Sequence, residues 1–378
     1  MVGRAAVHIT GTVGRLSGVA SWRTLNRLLS FGGLSYPRLR LFKGGVECPE
    51  QLYVEAGHTG SPRLLVRELT NALRGGATLA IEAVDELHEP ISHLCEALEG
   101  VLAVPVQADM FASWGEPALP IMRCNEHDVF IFQVEGRRKW WVHCPIANRT
   151  GTSLSSGEFY REATWCGTLV EGDLLYVPRA WHHRDEPEDG ASLSVAAKFR
   201  HPTGLDLIGR VAHQLSSTKL GSGIPRFAAA RELSEYLTLF QRELVETAGR
   251  AGALVGALTE MRMVADPRVR FSLPWSAEQV PLPPSGDHRL VPLMRFPDVC
   301  IRHCADEDAI EVFVGPAATR FDSAVAPIVE RVLRSGGVTM RQLLEAFEPE
   351  VPRERILQCV AQLIASGALW LREAIGRR

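Results

Sequence analysis

The sequence contains no CxxC pair, although it holds eight cysteines. Cys48, Cys95, Cys124, Cys144, Cys166, Cys300, Cys304 and Cys359 are scattered without even spacing. That excludes a disulfide framework and is the pattern of free thiols in a reducing compartment. Cys300, His303 and Cys304 form one close group, but no second ligand pair at zinc-finger spacing accompanies it, so it reads as a strand with incidental thiols. There is no basic excess either. A formal net charge of −3 argues against a general polyanion binder, so nucleic acid is not the expected partner. No run approaches the ~18 apolar residues of a membrane span. Near the N-terminus, glycines break the apolar residues before a signal-peptide core can form. The expected location is therefore the cytoplasm, with no membrane partner.

What is present is a soluble globular composition, 46% hydrophobic and 22% charged over 378 residues, enough for two or three domains. Residues 1–21 are Gly-rich and expected to be mobile. Residues 22–29 read as a short helix, and Leu65, Leu69 and Leu73 recur at helical spacing before a Gly75-Gly76 stop. Residues 77–84 have strand character, 91–98 helical, and 101–111 strand character again. From residue 123 to about 199 the pattern is β. Arg123, Asn125, His127, Val129 and Ile131 share one strand face if no bulge intervenes. Gly136 reads as a turn or bend, residues 150–157 as a polar loop, 168–177 as a strand and 186–190 as a turn.

Beyond Pro202 the period becomes helical, carried by Leu207, Val211 and Leu215 and then by Leu233, Leu237, Phe240 and Leu244; residues 251–263 extend it. These wide apolar faces pack on the preceding barrel or on a second copy of the chain. A Pro-rich linker covers residues 274–284. After it come one helix ended by Gly336-Gly337, a second opened by a Thr339/Gln342 capping box, a third opened at Pro352 and ended at Gly367, and a closing strand. This is a winged-helix-like pattern. It has no basic stripe, so it reads as a packing or protein-contact module.

Two stretches carry the chemistry: DVFIFQVEGRRKWWV at residues 128–142 and GDLLYVPRAWHH at 172–183. With the order of barrel, helices and winged helix, the chain resembles the JmjC-type cupin proteins, specifically the ribosomal-oxygenase-like branch of the iron(II)/2-oxoglutarate hydroxylases. The implied fold is α+β: a double-stranded β-helix, the JmjC/cupin jelly roll, with N-terminal helices at residues 22–200. A helical, dimerisation-like segment follows at 201–273, then the 274–284 linker and a winged-helix-like domain at 285–378. The resemblance also implies a homodimer acting on a peptide, protein or small molecule.

By the same resemblance, a His-x-Asp pair precedes the DVF strand and a distant His follows the GDxLYxP segment. These three hold iron on one face and leave positions open for co-substrate and oxygen. Counted back from Asp128, the first two positions fall on Arg123 and Asn125, and the distant one on His183. A guanidinium stays protonated and has no lone pair to give. A unit positive charge ~4 Å from a divalent ion is repelled by roughly 8 kcal/mol at an effective dielectric near 20. Where relatives carry an Asn and a Tyr facing the co-substrate, this chain has Asp109 and Phe111, and Ser194 stands where they carry a His. Arg138 falls where the family pairs a cation with the far carboxylate of 2-oxoglutarate, a bidentate task suited to Arg. If Arg123 and Arg138 both point inward, the pocket is cationic and suited to an anion without metal.

Three functions follow. The first is a divergent oxygenase-like protein that lacks the usual iron site and binds a peptide, protein or small anion in its barrel. The second is a working 2-oxoglutarate-dependent dioxygenase with displaced ligands Asp109, His127 and His183. The third is a non-oxidative enzyme using the cationic pocket, with Asp109 or His183 as acid-base groups. Fe(II) and 2-oxoglutarate are the cofactors that the resemblance implies.

Overall fold

The order of apolar and polar residues along residues 106–199 builds the part of the molecule that matters for function. In the computed structural model, residues 3–31, 33–57, 60–113, 122–145, 163–224, 230–249, 252–275, 287–304 and 308–372 are described. The chain divides into two units, Met1–Arg200 and His201–Arg378.

In the first unit the order is β1 (Val7–Ile9), α1 (Trp22–Ser30), β2 (Leu39–Lys43), β3 (Val46–Glu47), β4 (Val54–Ala56) and β5 (Pro62–Leu64). Then come α2 (Val66–Arg74), β6 (Thr78–Ile81), α3 (Glu89–Leu102), β7 (Val106–Ser113), β8 (Arg123–Cys124), β9 (Asp128–His143), β10 (Trp165–Leu169), β11 (Leu174–Val177) and β12 (His182–Phe199). Ten strands form one sheet in the order β1-β11-β9-β12-β7-β6-β2-β3, with β10 also on β9 and β8 also on β12. The long strands β9 and β12 run antiparallel side by side at its centre. Because side chains alternate, β9 sends Val129 and Ile131 to one core and Phe132 and Val134 to another. The larger core is closed by α1, α2 and α3 through residues such as Leu25, Leu69, Leu73 and Ile91.

In the N-terminal segment, Val7 pairs with Tyr176 and Ile9 with Leu174. His8 Nε2 lies 3.0 Å from an Asp173 oxygen, and the Gly11 amide donates to the same carboxylate at 2.8 Å. Three expectations are corrected here. Gly136 does not separate two strands. It kinks the single strand β9 with φ +75°, where a Cβ would lie 2.0 Å from the Ala191 carbonyl oxygen. The segment 186–190 is likewise part of one strand, β12, whose register with β9 shifts between Glu188 and Leu193. Residues 168–177 are divided between β10 and β11, with Gly172 at φ +93° between them. The loop expected at 150–157 lies outside the described residues.

The second unit holds α4 (Gly204–Ser216), α5 (Ala230–Gly249) and α6 (Ala253–Met263), followed by β13 (Arg289–Pro292), β14 (Ile301–His303), β15 (Ala309–Val314) and β16 (Ala317–Asp322). It ends with α7 (Ala326–Arg334), β17 (Val338–Thr339), α8 (Met340–Phe347), α9 (Arg353–Ala365) and β18 (Leu369–Arg372). A Thr203/Asp206 capping box opens α4 and the expected Thr339/Gln342 box opens α8. Helices α7, α8 and α9 share one core with Leu290 of β13 and Leu371 of β18, and β17-β13-β18 form a small antiparallel sheet. Most of the expected linker, residues 276–284, lies outside the described residues.

Candidate functional site

The strand alternation that builds the core also points polar groups into a cavity of about 370 Å³. Its wall takes Arg138 and Trp140 from β9, and His183 with Asp185, then Ser194, Ala196 and Lys198, from β12, with two-residue spacing inside each run. Strand β8 adds Arg123, whose backbone is paired opposite His183, and the residues after it add Asn125. Asp109 and Phe111 come from β7, Thr78 and Ala80 from β6, Glu82 from just beyond it, and Arg40 and Phe42 from β2.

Almost every charge in this wall is matched. All three guanidinium nitrogens of the buried Arg138 are engaged: two face Asp185, and the third donates to the Ser113 hydroxyl. Burial pushes the Asp185 carboxyl up, yet Arg138 and then Arg123 pull it below the usual carboxylate range. Lys198 Nζ lies 2.6 Å from Asp109 Oδ2, and the Ala83 amide donates to Oδ1 at 3.1 Å. Burial still raises the Asp109 carboxyl, against the pull of Lys198. Arg40 donates to Glu47 at 3.0 Å and to Glu82 at 2.6 Å. Among the described residues, Arg123 is the one cation in the wall with neither a hydrogen bond nor an ion pair. The wall is cationic by a single charge: four cations face three carboxylates, and the surplus is local to Arg123.

Two further features adjoin Arg123. Burial lowers the His183 imidazole below its ordinary range, more strongly than Asp185 raises it, and Arg123 adds to the lowering. His183 is thus neutral near neutral pH. Its Nδ1 is 3.4 Å from the Trp181 carbonyl, which can only accept, so Nδ1 carries the proton and Nε2 keeps its lone pair. The indole of Trp140 lies 5.9 Å from that imidazole, centroid to centroid. Its Nε1–H is buried and, among the described residues, has no acceptor.

Of the residues singled out in the sequence, Asp109, Arg123, Asn125, Arg138 and His183 line the cavity. His127 does not: it is exposed, because the chain between β8 and β9 leaves strand geometry and the two-residue alternation fails there. The displaced ligand set of Asp109, His127 and His183 is accordingly not brought together, and no group of three His, Cys, Asp or Glu among the described residues could hold a metal ion. At the inferred family position the donors are a guanidinium, a neutral amide and one imidazole, which do not fit a divalent metal. Asp185, Trp140, Lys198, Arg40 and Glu82 escaped the sequence reading. For Asp185 the signal was available in its two-residue spacing from His183.

The family described as JmjC domain matches residues 85–207. The bifunctional lysine-specific demethylase and histidyl-hydroxylase NO66 of Brugia malayi is 24% identical over 162 residues, covering 40% of this chain and 23% of the relative. The ribosomal protein uL16 3-hydroxylase of Escherichia coli strain K12 is 28% identical over 153 residues, covering 38% of this chain and 39% of the relative. The aligned part is thus well under half of either relative's length. Among solved structures, the ribosomal oxygenase YcfD of Escherichia coli in complex with cobalt and 2-oxoglutarate has a similar fold. Its TM-score is 0.59 at 19% identity, covering 98% of this chain and 96% of that one.

Proposed function

Taking as premise that this chain carries a JmjC domain, and that its homologues and structural neighbours are JmjC/cupin proteins of the ribosomal-oxygenase type, we propose that its barrel works without the usual iron, as a binding site for an anionic group on a peptide, protein or small molecule. The observation that carries this reading is the Arg123 guanidinium, which lines the cavity near the neutral His183 and has neither a hydrogen bond nor an ion pair among the described residues. A ligand carboxylate gives that guanidinium a bidentate, charge-assisted partner. Neutral His183 Nε2 adds an acceptor for a ligand hydroxyl or amide. A hydroxylase with displaced ligands requires His127 inside the cavity, where it is not found.

Purified protein, reconstituted anaerobically with iron(II) and given 2-oxoglutarate and air, is expected to form no succinate above a protein-free control. Carboxylate binding, followed by tryptophan fluorescence, is expected in the wild type and lost in Arg123→Gln. Iron-dependent succinate formation sinks the reading.

The setting we propose is the cytoplasm, in keeping with the eight cysteines being free; no described helix is long and apolar enough to cross a membrane. We further propose that two copies associate through the second unit. Support comes from α5 and α6, which expose Leu237, Leu239, Leu244, Val245, Leu254 and Val255 to solvent. Light scattering on the eluting protein tests this, and a monomer at micromolar concentration refutes it.

A further inference from the structure

We infer that Asp185 sets the ligand class of the cavity: it fills the second cationic position from within, so that the site takes ligands with one carboxylate and an apolar body and refuses dicarboxylates. The inference rests on the anion-binding reading of the same cavity and narrows it.

The cavity holds four cations. Arg40 is held by Glu47 and Glu82, Lys198 by Asp109, and Arg138 by Asp185, which leaves Arg123 as the cation for an incoming anion. The Arg138–Asp185 pair differs from the other two because both side chains are almost fully buried, at 5% exposure each. Arg138 also spends its remaining nitrogen on Ser113. A ligand carboxylate arriving at Arg138 must therefore displace a buried, charge-assisted pair and leave the Asp185 carboxylate without its partner. Against such a displacement stands the cost of an unpaired buried charge. At Arg123 the same carboxylate displaces no ion pair or hydrogen bond among the described residues, although it feels the charge of Asp185, which Arg123 also helps to hold ionised.

Apolar side chains line the same cavity as Arg123: Phe111, Val129, Ile131 and Ala196. A branched aliphatic or aromatic body fits that wall, while a second carboxylate facing it loses its hydration without gaining a cation. Removing the Asp185 charge changes the count. Arg138 then becomes a second anion site in the same cavity, and a dicarboxylate bridging Arg123 and Arg138 is favoured.

The experiment uses the full chain and two probes, isovalerate and succinate, with tryptophan fluorescence and melting temperature as readouts. Wild type is expected to bind isovalerate about tenfold or more tighter than succinate. Asp185→Asn is expected to reverse that order, and succinate should raise the melting temperature of the variant while leaving the wild type's unchanged. Asp185→Asn/Arg138→Gln, which lacks both charges, is expected to stay poor at binding succinate. If wild type takes succinate as tightly as isovalerate, the inference is overturned whether or not any variant folds. It is overturned equally by a folded Asp185→Asn with unchanged succinate affinity, or by an Asp185→Asn chain that stays unfolded in saturating succinate. Anion binding that depends on Arg123 but does not discriminate between the probes defeats this inference alone. Absence of any Arg123-dependent binding defeats the anion-site reading with it.

Discussion

Arg138 of β9 and Asp185 of β12 are diagonal neighbours across the two central strands: Arg138 is registered with Pro187, and Asp185 with Trp140. The pair closes one side of the cavity. A buried pair stabilises little relative to an apolar pair of the same shape, but breaking it strands a charge. Asp185→Ala and Arg138→Ala are each expected to cost about 3–5 kcal/mol of unfolding free energy. The double variant should cost clearly less than the sum. Urea unfolding of the four proteins forms a double-mutant cycle, and additive losses would show that the two side chains do not act as a unit.

His183 gives the fold a pH dependence of defined sign. Burial holds its folded pKa below the ordinary 6.5, so at mildly acidic pH the unfolded chain binds the proton more readily than the folded one. This costs nothing above about pH 6.5 and removes stability as pH falls below it toward the folded value. His88 and His143, also lowered by burial, act in the same direction. Asp185 does so at lower pH, below its ordinary 3.8, whereas Asp109, raised by burial, opposes it by taking up its proton earlier in the folded state. Urea midpoints measured from about pH 7.5 to 5.5 are expected to fall for wild type and to fall less for His183→Gln. Equal slopes for the two proteins would remove His183 from the account.

The family signature was legible because residues 128–142 and 172–183 carry the register of the barrel in their own alternation, and counting from Asp128 reached Arg123 and Asn125 without a structure. Both line the cavity, as do Asp109, Arg138 and His183. The same alternation misplaced His127, because residues 125–127 are not in a strand and period two applies only inside one. Asp185 keeps a two-residue spacing from His183, but the turn-forming composition of residues 186–190 just after it masks the strand, and β12 continues through them. There β12 pairs with β9 alone as far as Glu188, and Pro is tolerated where one side of a strand has no partner. Lys198, Arg40 and Glu82 come from strands far apart in sequence, and only the closed sheet brings them to one wall.

Gly136 offers a test of the kink itself. Its φ of +75° and the 2.0 Å approach that a Cβ would make to the Ala191 carbonyl oxygen leave no room for a side chain between β9 and β12. Gly136→Ala is expected to lose about 2 kcal/mol or more, combining left-handed strain with displacement of the neighbouring strand. The loss should also weaken carboxylate binding, since Arg138 and Trp140 follow the kink on the same strand. A variant as stable as wild type would mean that β12 yields there freely.

The metal question can be put directly to the two residues that disagree with it. Wild-type protein reconstituted anaerobically with cobalt is expected to hold no stoichiometric metal, because Arg123 opposes a divalent ion and Asn125 brings no charge to attract it. Arg123→His/Asn125→Asp removes the repulsion, worth roughly 8 kcal/mol at ~4 Å and an effective dielectric near 20, and supplies two donors beside the Nε2 lone pair of His183. That variant is expected to bind cobalt, read by its visible absorption, and a further His183→Ala change should abolish it. Binding of 2-oxoglutarate should still be refused, because Asp185 continues to hold Arg138, and should emerge when Asp185→Asn is added to the double variant. Cobalt bound equally by wild type, or by the double variant after loss of His183, would place the metal elsewhere in the molecule and break the link between residues 123, 125 and 183.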